Sequence, residues 1–127
     1  MKLVIVALNS KYIHSSLACW YLKYSAQSFC EKIKVKEYTI NDNIDWVISS
    51  IFIEKPDCLA FSCYIWNIEY ALKVASSLKK VMPDVPIILG GPEVSFDPVE
   101  IMLANNFVDY IICGEGEESF GKLIKVL

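Results

Sequence analysis

The sequence predicts a flavodoxin-like α/β fold of three layers, in which a five-stranded parallel sheet in the order 2-1-3-4-5 lies between two layers of helices. The first observation is that five short apolar runs alternate along the chain with segments of helical spacing. Such alternation implies parallel strands joined by right-handed crossovers. The second observation is that only the second run alternates charged and apolar residues, which is typical of a half-exposed edge strand. An edge position for strand 2 selects this strand order and predicts a ligand crevice where strands 1 and 3 diverge.

The first half of the chain contains two strand–helix units. Lys2–Leu8 is rich in valine and isoleucine and predicts a strand covered on both faces. A helix follows, with Ser15 or Ser16 placed to cap its start. Ile33–Ile40 is the alternating strand, and Asp42 or Asn43 caps the next helix. Helical spacing is carried by Leu17, Trp20, Tyr21, Tyr24 and Ser28 in the first helix and by Ile44, Val47, Ile48 and Ile51 in the second.

The second half contains three more units. Cys58–Ser62 is an apolar strand, and Asn67 is placed to cap the helix after it. Val85–Leu89 is a strand that ends at two glycines and a proline. Residues 97–100 predict a helix start, because they combine a helix cap with proline at the first helical position. Tyr110–Cys113 is the last strand. The stripes of the flanking helices are Ala71, Val74, Ala75, Leu78 and Met82, and then Phe120, Leu123, Ile124 and Leu127.

The length and composition fit one domain. The chain has 127 residues, of which 54% are hydrophobic, and this supplies a substantial core. We therefore treat residues 1–127 as one domain. No apolar run approaches the ~20 residues that span a bilayer, and the sequence starts without the pattern of a secretory leader. These features predict a cytoplasmic domain with no membrane partner.

Charge and cysteine usage exclude several function classes. All 12 basic residues are lysines, scattered among 15 acidic ones, and this predicts no nucleic-acid partner because a concentrated basic footprint is missing. Five cysteines without a C-x-x-C pair form neither a disulfide framework nor a zinc site. Cys58, Cys63 and Cys113 lie in or beside apolar strands and are expected to be buried thiols.

Ligand contacts in such a fold come from the loops at the carboxyl ends of the strands. The first loop holds His14, the only histidine, which is a candidate for metal ligation or proton transfer; the alternative is a hydrogen-bonded residue near a helix start. In the third loop, Tyr64 and Trp66 either pack against a flat ligand or pack onto the adjacent helix. The paired glycines Gly90 and Gly91 allow close backbone approach to a ligand, although turn geometry also asks for glycine.

Other nucleotide and catalytic motifs are missing. A phosphate-accepting receiver domain needs aspartates where this chain has Asn9 and Ser62. The first glycine of the sequence is Gly90, so no G-x-G-x-x-G fingerprint follows the first strand. P-loop and G-x-S-x-G motifs are also missing. A dinucleotide dehydrogenase and an esterase are therefore disfavoured.

The loops together resemble a known family. They are similar to the cobalamin-binding domain at the amino terminus of cobalamin-dependent radical S-adenosylmethionine proteins, a group that includes anaerobic magnesium-protoporphyrin monomethyl ester cyclases and methyltransferase-like proteins. The resemblance extends along essentially the whole chain. The segments that carry it are Asn9–Ser16, Phe61–Asn67, Leu89–Glu93 and Cys113–Glu117.

The resemblance implies a cobalamin site. The wider pattern is D-x-H-x-x-G, then S-x-L, then G-G, and Ser62 begins the second element here. His14 stands at the position of the lower axial ligand of cobalt, but Tyr12 replaces the aspartate that would orient it, and many relatives bind the cofactor without a protein histidine. The corrin is expected over loops 1 and 3, with the nucleotide tail beside Ser62 and the backbone amides of Gly91 and Glu93 on tail oxygens. The implied cofactor-binding residues are Asn9, Ser10, Tyr12, His14, Ser62, Cys63, Tyr64, Trp66, Gly90, Gly91, Pro92, Glu93, Gly114, Glu115 and Gly116.

The resemblance also implies a partner domain. In the relatives a barrel domain follows in the same chain and binds S-adenosylmethionine and a [4Fe-4S] cluster through C-x-x-x-C-x-x-C, a motif that this sequence lacks. We therefore expect residues 1–127 to be the amino-terminal part of a longer radical enzyme and not to be catalytic alone. The alternatives are a flavodoxin-like flavin-binding electron carrier and a ligand-free docking scaffold.

Overall fold

The structure is a computed structural model that describes residues 1–10, 17–114 and 116–127. It contains a five-stranded parallel sheet in the order β2-β1-β3-β4-β5. The predicted fold class and strand order are thereby confirmed. The strands are β1 (Lys2–Asn9), β2 (Lys32–Thr39), β3 (Cys58–Ser62), β4 (Ile87–Gly90) and β5 (Tyr110–Ile111).

Six helices connect and follow these strands within the described part of the chain: α1 (Leu17–Ala26), α2 (Ile44–Ile53), α3 (Ile68–Val81), α4 (Pro92–Ser95), α5 (Pro98–Ala104) and α6 (Glu117–Val126). Asn43, not Asp42, caps α2 by accepting a hydrogen bond from the backbone N of Trp46 at 3.0 Å. Asp97 caps α5 as predicted. The short α4 was not predicted, and the cap expected from Ser15 or Ser16 lies outside the described residues. None of the described helices is both long and apolar enough to cross a lipid bilayer.

The sheet separates two hydrophobic clusters. Alternate side chains of β1 face opposite sides, so that Val4 and Val6 pack with α2, α3 and α5, whereas Leu3 and Ile5 pack with α1 and α6. The three-layer arrangement follows from this alternation, because each strand of the central pair is covered on both faces.

The face of α1 that packs inward differs from the predicted stripe. The aromatic residues Trp20, Tyr21 and Tyr24 are exposed, whereas Cys19 and Ala26 are fully buried. Both sets of residues repeat with the helical period, so spacing alone does not say which set faces the sheet. The smaller side chains face inward because α1 lies close to β1 and α6.

The last strand is shorter than predicted. β5 pairs with β4 only through Tyr110 and Ile111, and the final bond between them runs from the backbone N of Ile112 to the O of Leu89 at 2.8 Å. Cys113 therefore lies beyond the sheet and is exposed, which corrects the expectation that it is a buried thiol. The other four cysteines are buried.

Candidate functional site

A buried asparagine joins the carboxyl ends of β1 and β3. Asn67 is only 2% exposed, and its Nδ2 donates to the backbone O of Leu8 at 3.0 Å and of Ser62 at 3.1 Å. Its Oδ1 accepts from the backbone N of Tyr64 at 2.7 Å. Asn67 occupies the N-cap position of α3 but makes no side-chain cap bond, which corrects the predicted cap. Its side chain instead fixes the start of the third loop against the central strands.

Backbone bonds join the ends of β3 and β4. The N of Cys63 donates to the O of Gly90 at 2.7 Å, and the O of Cys63 accepts from the N of Glu93 at 3.3 Å. Gly91 has a φ of 104°, and a Cβ there would lie 2.4 Å from the O of Cys63. The missing side chain of Gly91 thus makes room for the chain's own backbone. The amide of Glu93, an expected contact of the nucleotide tail, bonds the chain's own backbone here.

A cavity of about 390 Å³ opens at the carboxyl ends of β3 and β4. It lies between these strands and the layer formed by α1 and α6, and most of its wall is apolar. The predicted crevice between strands 1 and 3 is therefore displaced by one strand toward β4. Its lining residues are Ala18, Leu22, Ala60, Phe61, Ser62, Tyr64, Ile88, Gly90, Gly91, Pro92, Ser95, Ile112, Gly114, Gly116 and Phe120.

Ser62 places in this apolar wall a hydroxyl that bonds none of the described residues. The residue is 6% exposed and follows Ala60 on the face of β3 that packs toward α1 and α6. Every fully buried side-chain nitrogen or oxygen in the described part of the chain has a hydrogen-bond partner. The Ser62 hydroxyl makes no hydrogen bond with those residues, so it is reached from the cavity. A ligand atom that bonds this hydroxyl gains a hydrogen bond in an environment where such bonds are strong.

The two aromatic residues of the third loop stack on each other. The ring centroids of Tyr64 and Trp66 are 5.2 Å apart and their planes differ by 3°. Tyr64 borders the cavity, and Trp66 is partly exposed beside it and borders a second cleft with Tyr70 and Lys73. Because the rings occupy each other's faces, a flavin held between them would require the pair to separate.

The predicted site residues fall into three groups. Asn9, Ser10, Cys63, Trp66 and Glu93 are described but do not line the cavity. Tyr12, His14 and Glu115 lie outside the described residues. The predicted residues that line the cavity are Ser62, Tyr64, Gly90, Gly91, Pro92, Gly114 and Gly116.

Cys63 faces away from the cavity. Its side chain belongs to the core on the α2 and α3 face, and burial raises the pKa of its thiol to about 12. The thiol is therefore neutral and unreactive at physiological pH. No group of three or more potential metal-ligating side chains occurs among the residues whose positions are described.

Sequence reasoning missed the wall that the helices supply. Leu22 of α1 and Phe120 of α6 line the cavity, as do Ala60, Ile88 and Ser95. The alternation of side chains along β3 could have predicted Ala60 as a lining residue, because it lies two residues before Ser62 on the same face. The contribution of α1 required knowing which of its stripes faces the sheet.

Small-molecule sites of parallel α/β sheets are typically apolar cavities at the carboxyl ends of the strands with a few polar groups in their walls, and the cavity beside Ser62 has these features. Residues 3–124 match the B12 binding domain family. The chain belongs to this family.

Two relatives extend well beyond the part that this chain matches. The cobalamin-dependent radical SAM methyltransferase TokK of Streptomyces tokunonensis is 40% identical over 72 residues, which are 57% of this chain and 11% of that protein. The anaerobic magnesium-protoporphyrin IX monomethyl ester cyclase of Rubrivivax gelatinosus is 32% identical over 107 residues, which cover 82% of this chain and 18% of that protein. The chain thus spans a tenth to a fifth of the length of these relatives.

A solved structure shares the fold over nearly the whole chain. The cobalamin-dependent S-adenosylmethionine radical enzyme OxsB, with aqua-cobalamin and S-adenosylmethionine bound, aligns with a TM-score of 0.81 at 17% identity. The alignment covers 98% of this chain and 18% of OxsB. At this identity the likeness shows the fold.

Proposed function

We propose that this chain is a cobalamin-binding module that positions the corrin cofactor for a radical S-adenosylmethionine catalytic domain. The observation that carries the proposal is the hydroxyl of Ser62, which bonds none of the described residues and lies in the wall of an apolar cavity at the strand ends. Membership of the B12 binding domain family supports the choice of cobalamin as the occupant.

The cavity fits the nucleotide tail of cobalamin. A volume of about 390 Å³ lies within the ~300–1,000 Å³ typical of small-molecule sites. No carboxylate, amine or imidazole from the described residues lines it, so the wall favours a neutral aromatic base over a charged group. The Ser62 hydroxyl is then the donor to a ring nitrogen, and Gly90 leaves the entrance free of a side chain.

The remaining residues contact the exposed part of the cofactor. The stacked rings of Tyr64 and Trp66 lie at and beside the cavity and would contact the edge of the corrin. Asn9 and Ser10, at and just beyond the end of β1, are further candidates to contact the corrin, as Tyr12 and His14 are by resemblance to the family. When bound, cobalamin supplies a redox-active cobalt ion; the protein supplies binding and orientation. His14 is the candidate axial ligand.

The catalytic chemistry belongs to a domain outside this sequence. The relatives are five to nine times longer than the matched segment, as 11% and 18% coverage imply. We infer that residues 1–127 are the amino-terminal module of a cytoplasmic protein whose following domain holds S-adenosylmethionine and a [4Fe-4S] cluster. That domain would perform methyl transfer or cyclase-type chemistry, and the module alone is not catalytic.

The test is a titration of the chain with hydroxocobalamin, followed by the visible spectrum. We expect saturable binding, and Ser62→Ala should raise the Kd by about three- to tenfold, the value of one hydrogen bond. Ser28→Ala, an exposed serine beyond α1, is the matched control. A spectrum unchanged by His14→Ala would exclude histidine ligation.

Other outcomes would reject the proposal. Saturable binding of flavin mononucleotide without binding of hydroxocobalamin would favour the electron carrier. Binding of neither molecule would favour the docking scaffold.

A further inference from the structure

The cavity wall beside β5 lacks the backbone hydrogen bonds that join the loops after β3 and β4. Backbone bonds of Cys63 join the loops after β3 and β4. The ladder between β4 and β5 instead ends at the bond from Ile112 to Leu89. Beyond that bond, no backbone–backbone hydrogen bond among residues 112–114 and 116 reaches the β4 loop. Gly114 and Gly116 therefore line the cavity without a backbone hydrogen bond of their own to the β4 loop.

One hydroxyl bridges this gap. Ser95 Oγ donates to the backbone O of Gly91 at 2.8 Å and accepts from the backbone N of Gly114 at 3.0 Å. The first bond is a back-bond within α4, which fixes the rotamer of the serine. With its proton thus directed, the oxygen presents a lone pair to Gly114. Ser95 itself lines the cavity between the two loops.

We propose that Ser95 is a positioning residue for the nucleotide tail of the cofactor. By joining Gly91 to Gly114, its hydroxyl sets the width of the cavity on the β5 side, where the described residues after Ile112 make no ladder bonds. This role rests on the proposed cobalamin site and assigns Ser95 to the wall of the cavity, where its hydroxyl bonds Gly91 and Gly114. It predicts that loss of the hydroxyl weakens retention of the tail and leaves contacts with the corrin unchanged.

The experiment compares two probes that differ in the tail. Hydroxocobalamin carries the nucleotide tail, and diaquacobinamide lacks it. Ser95→Ala should raise the Kd of hydroxocobalamin by up to about tenfold, because binding must then order a wall that two hydrogen bonds of about 0.5–1.5 kcal/mol each hold in place in the original free chain. The Kd of cobinamide should change by less than twofold, as should both values for the exposed control Ser28→Ala.

A pair of isosteric variants keeps the test independent of folding. Ser95→Thr retains the hydroxyl and should bind hydroxocobalamin as the original chain does. Ser95→Val has nearly the same shape as Ser95→Thr but lacks the hydroxyl, and its Kd for hydroxocobalamin should match that of Ser95→Ala. Equal affinities of the Thr and Val variants for hydroxocobalamin would overturn the proposal.

Amide hydrogen exchange tests the bridge without any cofactor. The amide of Gly114 should exchange faster in Ser95→Ala than in the original chain, whereas the amide of Cys63 should not change. An equal rate at Gly114, or a Ser95→Ala variant that weakens both probes alike, would refute the role of Ser95. Failure of the original chain to bind hydroxocobalamin would reject the proposed function and the cofactor role together, and the Gly114 rate would still decide whether the bridge exists.

Discussion

Gly90 and Gly91 are adjacent, yet their missing side chains serve different purposes. A Cβ at Gly90 would meet nothing closer than 3.9 Å, and this residue borders the cavity. A Cβ at Gly91 would lie 2.4 Å from the backbone O of Cys63, in a backbone conformation with φ of 104°. One glycine therefore leaves space for a ligand, and the other leaves space for the neighbouring loop.

This difference predicts opposite results for two alanine substitutions. Gly91→Ala should lower the free energy of unfolding by about 2–4 kcal/mol, because the backbone must move to relieve both the clash and the positive φ. Gly90→Ala should leave stability within about 0.5 kcal/mol and weaken hydroxocobalamin binding by filling the entrance. Urea unfolding and the visible titration measure the two effects. Equal stability of both variants would contradict the close approach at Gly91.

At the residue scale, the sequence predicts which polar residues lie near the site better than it predicts which atoms they bond. Ser62 is a site candidate because it begins the second element of the cobalamin-domain pattern, at the end of an apolar strand. Asn67 was assigned as a helix cap because residue type and position favour capping. Its actual partners are Leu8, Ser62 and Tyr64, which belong to neighbouring strands and are known only after the sheet is assembled.

The edge strand β2 is tied to α2 by a network of charges. Lys2, Lys34 and Lys36 place their Nζ atoms 2.9, 2.8 and 3.3 Å from the carboxylate of Glu54, which follows the last turn of α2. The hydrogen bonds from Lys34 and Lys2 lower the pKa of Glu54 from 4.5 to about 2. The half-exposed strand is thereby attached to the layer behind it.

This network predicts how stability depends on pH. A carboxyl with a lowered pKa stabilises the fold above its unfolded value of 4.5, and this contribution is lost as the pH falls from there through about 2. At pH 7, Glu54→Gln should lower the free energy of unfolding by about 1 kcal/mol. The difference between the two proteins should shrink toward pH 2. A constant difference across that range in urea unfolding would contradict the assignment.

At the scale of elements, strongly patterned segments were predicted and weakly patterned ones were not. The bounds of β3 were obtained from its apolar run alone, and the alternation of β2 identified it as the edge strand. The short α4 and the two-residue β5 lack such a pattern, since their extent depends on where the β4 loop packs against Cys63. The orientation of α1 was missed because its aromatic and small-residue stripes share one period.

Considered as a whole, the molecule keeps four of its five thiols inside the two cores. Cys19, Cys30, Cys58 and Cys63 are buried and Cys113 is exposed. Burial raises the pKa values of Cys58 and Cys63 to about 12, so these two thiols carry little of the reactive thiolate form in the folded chain.

Thiol labelling therefore reports on the global fold. With Ellman's reagent at pH 8, we expect one thiol per chain to react rapidly and the other four to react only at the rate of opening, since the folded core excludes the reagent. Cys113→Ser should remove the rapid phase. Two or more rapid thiols in the native protein would show that one of the cores is open.

The placement of the cavity on one side of the sheet has a consequence for how this protein tolerates change. The α2 and α3 side holds the larger of the two apolar clusters, whereas the α1 and α6 side surrounds the cavity. No residue of α2 or α3 lines the cavity, so substitutions in these helices are expected to change stability alone, whereas residues of α1 and α6 both pack in a core cluster and line the cavity. The sheet therefore separates helices that contribute only to the core from helices that also form the cavity. The cavity can be reshaped by substitution while the core on the α2 and α3 side stays intact.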